Sequence, residues 1–417
     1  MNAQTLICAA ALPFAVPTSR WDDSVAATLS PAELLLYRAN LLGSDLTVTN
    51  FGGGNTSAKL VEVDPLPFAH VNHVHPDAII ALAGSSGSEA ATQAIWGGRI
   101  GWLPWKRPGY TLGVMLRDYV AANPHLEGVM LAGHGIICWA DSARACCEHT
   151  VQLIADAVNY LNAKLADKPA FGGRVVADNP DRAAIAADLM PRLRGLMTSA
   201  RNKLGHWSDD PEALEFTGSA DFARLAVLGT SCPDHFLRTK IAPLALDPAR
   251  LRDDGYLAQQ IADYRAIYAG YYERCKRSNS PAMRDANPVA VLVPGVGRIT
   301  FATDKTTARL AGDLYGNAVN VMCGAEAIGE YIALDEQEAF DIEYWLLEEA
   351  KLQRMPATKP LVGKIALVTG GAGGIGAASA ARRRLRGAGR PRWRSGRGCA
   401  RRVYQAVRQR HGPRRCV

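Results

Sequence analysis

Apolar positions along the chain change period several times, and each change marks an element. From Ser30 to Leu42 (SPAELLLYRANLL) they recur at helical spacing. The start is punctuated: Ser30 fits an N-cap, Pro31 the first helical position and Glu33 the third. Residues 51–57 predict a glycine-rich turn, and His75 to Ala83 a second helix. Val129 opens a short apolar strand, a turn follows at Gly133–Gly135, and Ile136 to Trp139 is apolar again. Asp141 to Leu161 predicts a long helix with an Asp–Ser start. The stretch from Lys168 to Arg182, with its prolines, glycines and charges, predicts a boundary. Beyond it, Ala223 to Leu228 and Val289 to Val293 predict buried strands. Tyr256 to Tyr272 and Lys305 to Tyr331 predict helices, and Pro294-Gly295-Val296-Gly297 a hairpin turn. Glu338 to Leu352 is amphipathic at helical spacing and ends at a linker signal, Pro356–Pro360. Ile365 to Val368 is a short apolar strand running into glycines. No sequence repeat is visible.

These elements predict an α/β protein. An α/β/α domain spans 21–167 and a second α/β unit spans 183–355. An incomplete Rossmann-like βα start covers 361–380. A disordered extension, 1–20, and an arginine-rich disordered tail, 381–417, flank them. A length of 417 residues agrees with two or three domains.

Composition changes this picture in three ways. At 48% hydrophobic and 21% charged residues the chain reads as ordinary globular protein. No apolar run reaches the roughly 18–20 residues of a membrane span. Leu6 to Val16 is apolar, but the first basic residue is Arg20, so an unstructured extension fits better than a secretory signal. The 9 cysteines form no CxxC pair; their odd count and scatter fit a reducing cytoplasm. Finally, the net charge of +7 is carried by the tail. Fourteen arginines and no acidic residue lie between Arg382 and Val417, so the rest of the chain carries about −7. A solvated tail explains that run better than specific nucleic-acid binding, since only Trp393 and Tyr404 interleave as aromatics.

Candidate chemistry lies between residues 50 and 135. His73-Val74-His75 turns two imidazoles the same way if the chain is extended. A third from elsewhere would make a metal site with an open position, and His134, between Gly133 and Gly135, suits it. Ordinary hydrogen-bonded histidines also fit this spacing, and His70 is close enough to compete as a ligand. Asn50-Phe51-Gly52-Gly53-Gly54-Asn55-Thr56-Ser57 offers many N–H and hydroxyl donors, suited to a phosphate or polyol, or is simply a flexible turn. Cys232 and His235 fit a turn better than a nucleophile and base. Trp102 to Pro108 (WLPWKRP) fits a substrate-site wall, a subunit contact or a packed loop.

Taken in order, the GGGNTS turn, HVHPDAIIALA and the GHG after an apolar strand resemble the class II aldolase/adducin family. That resemblance implies a phosphate site at Gly54, Asn55, Thr56 and Ser57. It implies a divalent metal, usually zinc, on His73, His75 and His134. The metal would polarise a ketose and stabilise the enediolate formed as a C–C bond breaks. GTSCPDHFLRTK (229–240) and the run from Glu338 to Pro356 look like the bifunctional rhamnulose-1-phosphate aldolase/short-chain dehydrogenase proteins. This implies a sugar phosphate substrate, rhamnulose 1-phosphate, cleaved to dihydroxyacetone phosphate and a lactaldehyde. It also implies a homo-oligomer in the cytoplasm. Adducin-like relatives show that the fold can also lack catalysis.

Two departures qualify the resemblance. The family carries a general acid/base carboxylate between the glycine turn and the HxH pair, yet only 15 residues separate Ser57 from His73. Glu62 and Asp64 are the carboxylates left there, Glu62 being the weak catalytic candidate, and turnover is expected to suffer by about 10²–10⁴. At the other end, Thr369 to Gly376 (TGGAGGIG) resembles the cofactor turn of short-chain dehydrogenases, with Gly370, Gly374 and Gly376 at the pyrophosphate. No Tyr-x-x-x-Lys follows Gly376. One βα unit builds no parallel sheet, so NAD(P) is not expected to bind well.

Overall fold

The computed structural model describes residues 14–50, 54–58, 68–166, 168–198, 201–230, 232–346, 349, 362 and 364. The chain divides into a unit Met1–Gly363 and a unit Lys364–Val417. Every described helix and strand belongs to the first. Glu62, Gly370, Gly374, Gly376 and the arginine-rich tail lie outside the described residues.

The first half of this unit runs α1 (Asp23–Ala26), α2 (Pro31–Gly43), β1 (Asn55–Ala58), β2 (His70–Val74), α3 (Asp77–Ala83), α4 (Ser88–Trp96), β3 (Ile100–Leu103), α5 (Tyr110–Ala122), β4 (Gly128–Leu131), β5 (Gly135–Ala140) and α6 (Ala143–Leu165). The second runs α7 (Arg182–Met197), β6 (Leu204–Ser208), α8 (Pro211–Thr217), α9 (Phe222–Leu228), α10 (Pro233–Thr239), β7 (Leu244–Ala245), α11 (Asp254–Cys275), β8 (Ala290–Val293), β9 (Gly297–Ala302), α12 (Lys305–Ile328) and α13 (Glu336–Glu343). Each half builds one mixed sheet. The first has the order β1-β2-β5-β4-β3, the second β6-β9-β8-β7. Only β3–β4 and β7–β8 pair in parallel.

Local sequence explains the elements that matter. Ser30 and Glu33 form a reciprocal capping box at the start of α2, with Pro31 at its first turn. Ser142 caps α6 by accepting from the Ala145 N–H at 3.1 Å. Strands β4 (GVML) and β8 (AVLV) are buried along their whole length, so they read as continuous apolar runs rather than alternating ones. Asn72, fully buried in β2, donates its Nδ2 to Thr150 Oγ1 at 2.7 Å and to the Cys146 oxygen at 3.2 Å. These two donated bonds tie the sheet to α6. Helix α12 lies against α3 and against β6 and β9, linking the two halves. A β-carbon at Gly324 would sit 2.7 Å from the Ala81 side chain, so the two helices approach as closely as a glycine permits.

The two halves share one topology. A strand (β2 or β6) leads to two short helices (α3, α4 or α8, α9), which α10 follows in the second half alone; then come a strand (β3 or β7), a helix (α5 or α11), a hairpin (β4–β5 or β8–β9) and a long helix (α6 or α12). The four strands have the same order and directions in both sheets. Details repeat as well. The second short helix of each half ends at a glycine of the same unusual backbone, Gly97 after α4 at φ 60°, ψ −142° and Gly229 after α9 at φ 77°, ψ −154°. The hairpin turns are Gly133-x-Gly135 and Gly295-x-Gly297, with φ 66° at Gly133 and 72° at Gly295. Short bridges cross between the halves at matching serines, Ser85 to Tyr331 and Ser219 to Arg174. The expectation of no repeat is thus corrected: topology repeats where sequence does not, because a sheet specifies burial and turns rather than residue identity.

Other expectations also change. Ala223–Leu228 is helix α9, not a strand; the short apolar run carries no periodicity that separates the two. The expected turn over 51–57 is a strand from Asn55 onward, because β2 offers it a partner. Glu338–Leu352 was expected as one helix, but α13 starts at Glu336, capped by Asp335, and ends at Glu343. Of the expected extension 1–20 only residues 14–20 are described, and Phe14 is anchored by its N–H, which donates to Asn162 Oδ1 at 3.0 Å. Among the described residues no helix is long and apolar enough to cross a membrane.

The repeated glycines give a stability test. An alanine at Gly97 meets only backbone strain, since nothing lies within 4 Å, whereas a β-carbon at Gly229 would lie 1.8 Å from the Ile241 oxygen. Gly97→Ala is expected to cost about 1–3 kcal/mol, and Gly229→Ala clearly more. Thermal unfolding of the two variants checks the order, and equal losses would contradict it.

Candidate metal centre

The ladder between β2 and β5 assembles the site. It pairs His73 with Ile137 and Val74 with Ile136, which places the end of β2 beside the Gly133–Gly135 turn. Alternation along β2 then separates two faces. Asn72 and Val74 turn to the core, while His73 and His75 turn toward the turn that carries His134. His70 is an odd number of residues from His73 and falls on the other face, so it does not compete. His75 and His134 are each 4% exposed, and His73 is half-buried.

The three imidazoles converge. One ligand atom from each lies within 4.8 Å of the others. His73 Nε2 and His75 Nε2 are 3.0 Å apart, with rings nearly perpendicular at 84°. The ring centres of His73 and His75 each lie 4.8 Å from that of His134. Nitrogens bound at about 2.0–2.1 Å to one tetrahedral ion sit about 3.3 Å from each other, so this cluster is close to a ligand set. Two ring nitrogens 3.0 Å apart must share a proton or a cation. Burial, with His75 beside it, pushes His73 well below the ordinary histidine range. That leaves neutral imidazole with its lone pair, the form a metal takes. Three histidines with no acidic group in the cluster fit a divalent ion with a position open to substrate.

Glycines make this geometry possible. A β-carbon at Gly135 would lie 2.5 Å from His75 Cδ2, and one at Gly133 would lie 3.1 Å from Trp105 Cε3. Gly54 has φ 85°, and a β-carbon there would lie 2.3 Å from the His73 oxygen, so the start of β1 presses directly on the histidine strand.

The expected phosphate residues divide. In the β1–β2 ladder Asn55 opposes His73 and Ser57 opposes Val71, so both share the face of the histidines. Thr56 opposes Asn72 and falls on the other face. Arg38 of α2 is fully buried and donates Nη2 to the Ser57 oxygen, which fixes β1 against α2. Cys232 is the N-cap of α10 and, like His235, is fully buried, so no open nucleophile exists there.

Two residues had no clear signal in the sequence. Trp105, left undecided among three roles, has its ring 6.3 Å from that of His134. Asp77 begins α3 two residues past His75 and accepts from Asn320 Nδ2 at 3.0 Å. Burial pushes its carboxyl up to about 7. It faces a cavity of about 340 Å³ that Thr47 and Glu212 also line. Its placement rests on contacts with α12, some 240 residues on, which local patterning does not show.

Residues 66–159 match the family model described as Class II Aldolase and Adducin N-terminal domain. Residues 184–352 match Aldolase class II, second domain. A Bacillus subtilis (strain 168) protein named "Uncharacterized oxidoreductase YuxG" is 31% identical over 87% of this chain. The chain spans 64% of that protein's length. The solved "N-terminal Class II Aldolase domain of a conserved protein from Thermoplasma acidophilum" is 17% identical, with a TM-score of 0.28 over 36% of this chain and 100% of that one.

The close contact at Gly135 gives a test that leaves all three ligands in place. Gly135→Ala is expected to push the His75 ring aside and weaken divalent-metal binding by about 10–100-fold. Chelator competition measures this; unchanged affinity would show that the turn does not set the ligand geometry.

Proposed function

We propose that this chain, which carries the two class II aldolase domains, is a divalent-metal-dependent aldolase-type lyase. The observation that carries the reading is the convergence of His73, His75 and His134 beside β1. The substrate class is a ketose 1-phosphate, with rhamnulose 1-phosphate the first candidate, cleaved to dihydroxyacetone phosphate and lactaldehyde. Support for the sugar comes from the resemblance of residues 229–240 and 338–356.

Each part of the site then has a task. The three imidazoles hold the ion from one side and leave the other open. When bound, that ion, zinc by preference, supplies Lewis acidity to the ketose oxygens. Asn55 and Ser57, on the histidine face of β1, orient the phosphate through side-chain donors. Gly54, exposed next to them, lets the backbone come close. Trp105 walls the cleft next to His134.

Proton transfer is the weak step. Among the described residues no carboxylate joins the three histidines, and Glu62 lies outside them. Turnover is accordingly expected about 10²–10⁴ below that of an enzyme with a placed acid/base.

A second reading, oxidoreductase, is supported by the name of the Bacillus relative and by the glycines at 370, 374 and 376. Dihydronicotinamide fluorescence on titration with this chain separates the two. A metal-binding module without catalysis is the third outcome.

Zinc-loaded protein given rhamnulose 1-phosphate is expected to release dihydroxyacetone phosphate slowly in a coupled assay. His134→Ala should bind zinc more than about 100-fold more weakly, a larger loss than changes around an intact ligand set produce. It should also lose the release, with an unaltered circular dichroism spectrum. Release undiminished in that variant would sink the proposal.

A further inference from the structure

The repeated topology lets the halves be compared position by position. The β2–β5 ladder pairs His73 with Ile137 and Val74 with Ile136; the β6–β9 ladder pairs Trp207 with Ile299 and Ser208 with Arg298. Both second strands start at the last glycine of the hairpin turn. Trp207, Asp209 and Val296 therefore occupy the places of His73, His75 and His134. Trp207 Nε1 donates to the Val296 oxygen at 3.0 Å, and Asp209 pairs with Arg182 at 2.9 Å. An indole and an ion pair have replaced three imidazoles, so the second half keeps the frame of a centre without its ligands.

Its C-terminal end serves the other half instead. Leu334 packs on the histidine turn, 3.3 Å from where a β-carbon of Gly133 would be. Glu338 Oε2 accepts from Trp105 Nε1 at 3.1 Å and lies 3.8 Å from Arg107. Arg107 also reaches Asp341 at 2.5 Å. Helix α13 is thereby fastened to the loop that carries Trp105. Between them is a pocket of about 270 Å³, lined by Trp105, Glu338, Lys106, Arg107, Tyr110 and Thr111. Trp105 is a wall of this pocket and its ring also lies 6.3 Å from that of His134, so one side chain is common to the pocket and the surroundings of the cluster.

We propose that this pocket is the subsite for the hydroxylated end of the ketose, the end that departs as aldehyde. Glu338, brought by the second half, is the positioning residue that holds the Trp105 wall. This rests on the aldolase reading of the metal cluster. The chemistry matches: an indole face packs on the C–H face of a small polyol, while Lys106 and Thr111 offer donors and an acceptor to hydroxyls. The second half thus acts as a built-in partner, completing a site that the first half opens.

The test is aldol addition by the zinc-loaded full chain, with dihydroxyacetone phosphate and lactaldehyde varied separately. Binding of dihydroxyacetone phosphate is measured by calorimetry and zinc affinity by chelator competition. Trp105→Ala and Glu338→Ala are expected to raise KM for the aldehyde about 10-fold or more. Zinc affinity and dihydroxyacetone phosphate binding should stay within about 2-fold. Glu338→Gln keeps an acceptor for the indole and should recover most of the aldehyde KM, and Trp105→Phe keeps a ring should the alanine variant fold poorly. An equal rise for both substrates, or none for the aldehyde, would overturn the subsite. Failure of the zinc-loaded wild type to bind dihydroxyacetone phosphate would overturn the aldolase reading beneath it.

Discussion

The register of one strand pair governs this molecule. Because Val74 pairs with Ile136, the last residues of β2 lie beside the Gly133–Gly135 turn. Slipping that pairing by one residue would send His73 and His75 into the core and bring Asn72 and Val74 out. The register is held from both sides. Asn72 is bonded to α6, and Gly54 and Gly135 leave no room for β-carbons against β2 and His75. Three imidazoles that would otherwise be ordinary polar side chains are thereby held at ligand spacing.

The second half shows what the same frame does without that chemistry. Its strand order, glycine turns and long final helix match the first. At the three ligand positions it has Trp207, Asp209 and Val296, and the indole closes the space. A frame made of ladders and glycine turns tolerates this exchange, since neither depends on the side chains that face the cleft. Helix α12 then packs between the halves, and α13 returns to the Trp105 loop.

Much of this was legible in the sequence, for physical reasons that can be named. The capping box at Ser30 and Glu33 is a local signal and marked the start of α2. HxH in an extended segment and a histidine between glycines are also local, and the cluster His73, His75 and His134 follows from them once β2 meets β5. Helix α9 was misread as a strand because a seven-residue apolar stretch has too little period to decide. The topological repeat was invisible because its halves share turns and burial rather than residues. Trp105 and Asp77 were not assigned because their neighbours, Glu338 and Asn320, are more than 200 residues away. Glycine at Gly54 could be read as a phosphate cradle, but its contact with the His73 backbone depends on a pairing that no local pattern displays.

Whether three imidazoles share one cation is decided by zinc X-ray absorption on the purified chain. The expected result is one zinc per chain, with three histidine nitrogens at about 2.0–2.1 Å and oxygen donors completing the shell. A spectrum with sulfur in the shell, one or two imidazoles, or no stoichiometric zinc would contradict it.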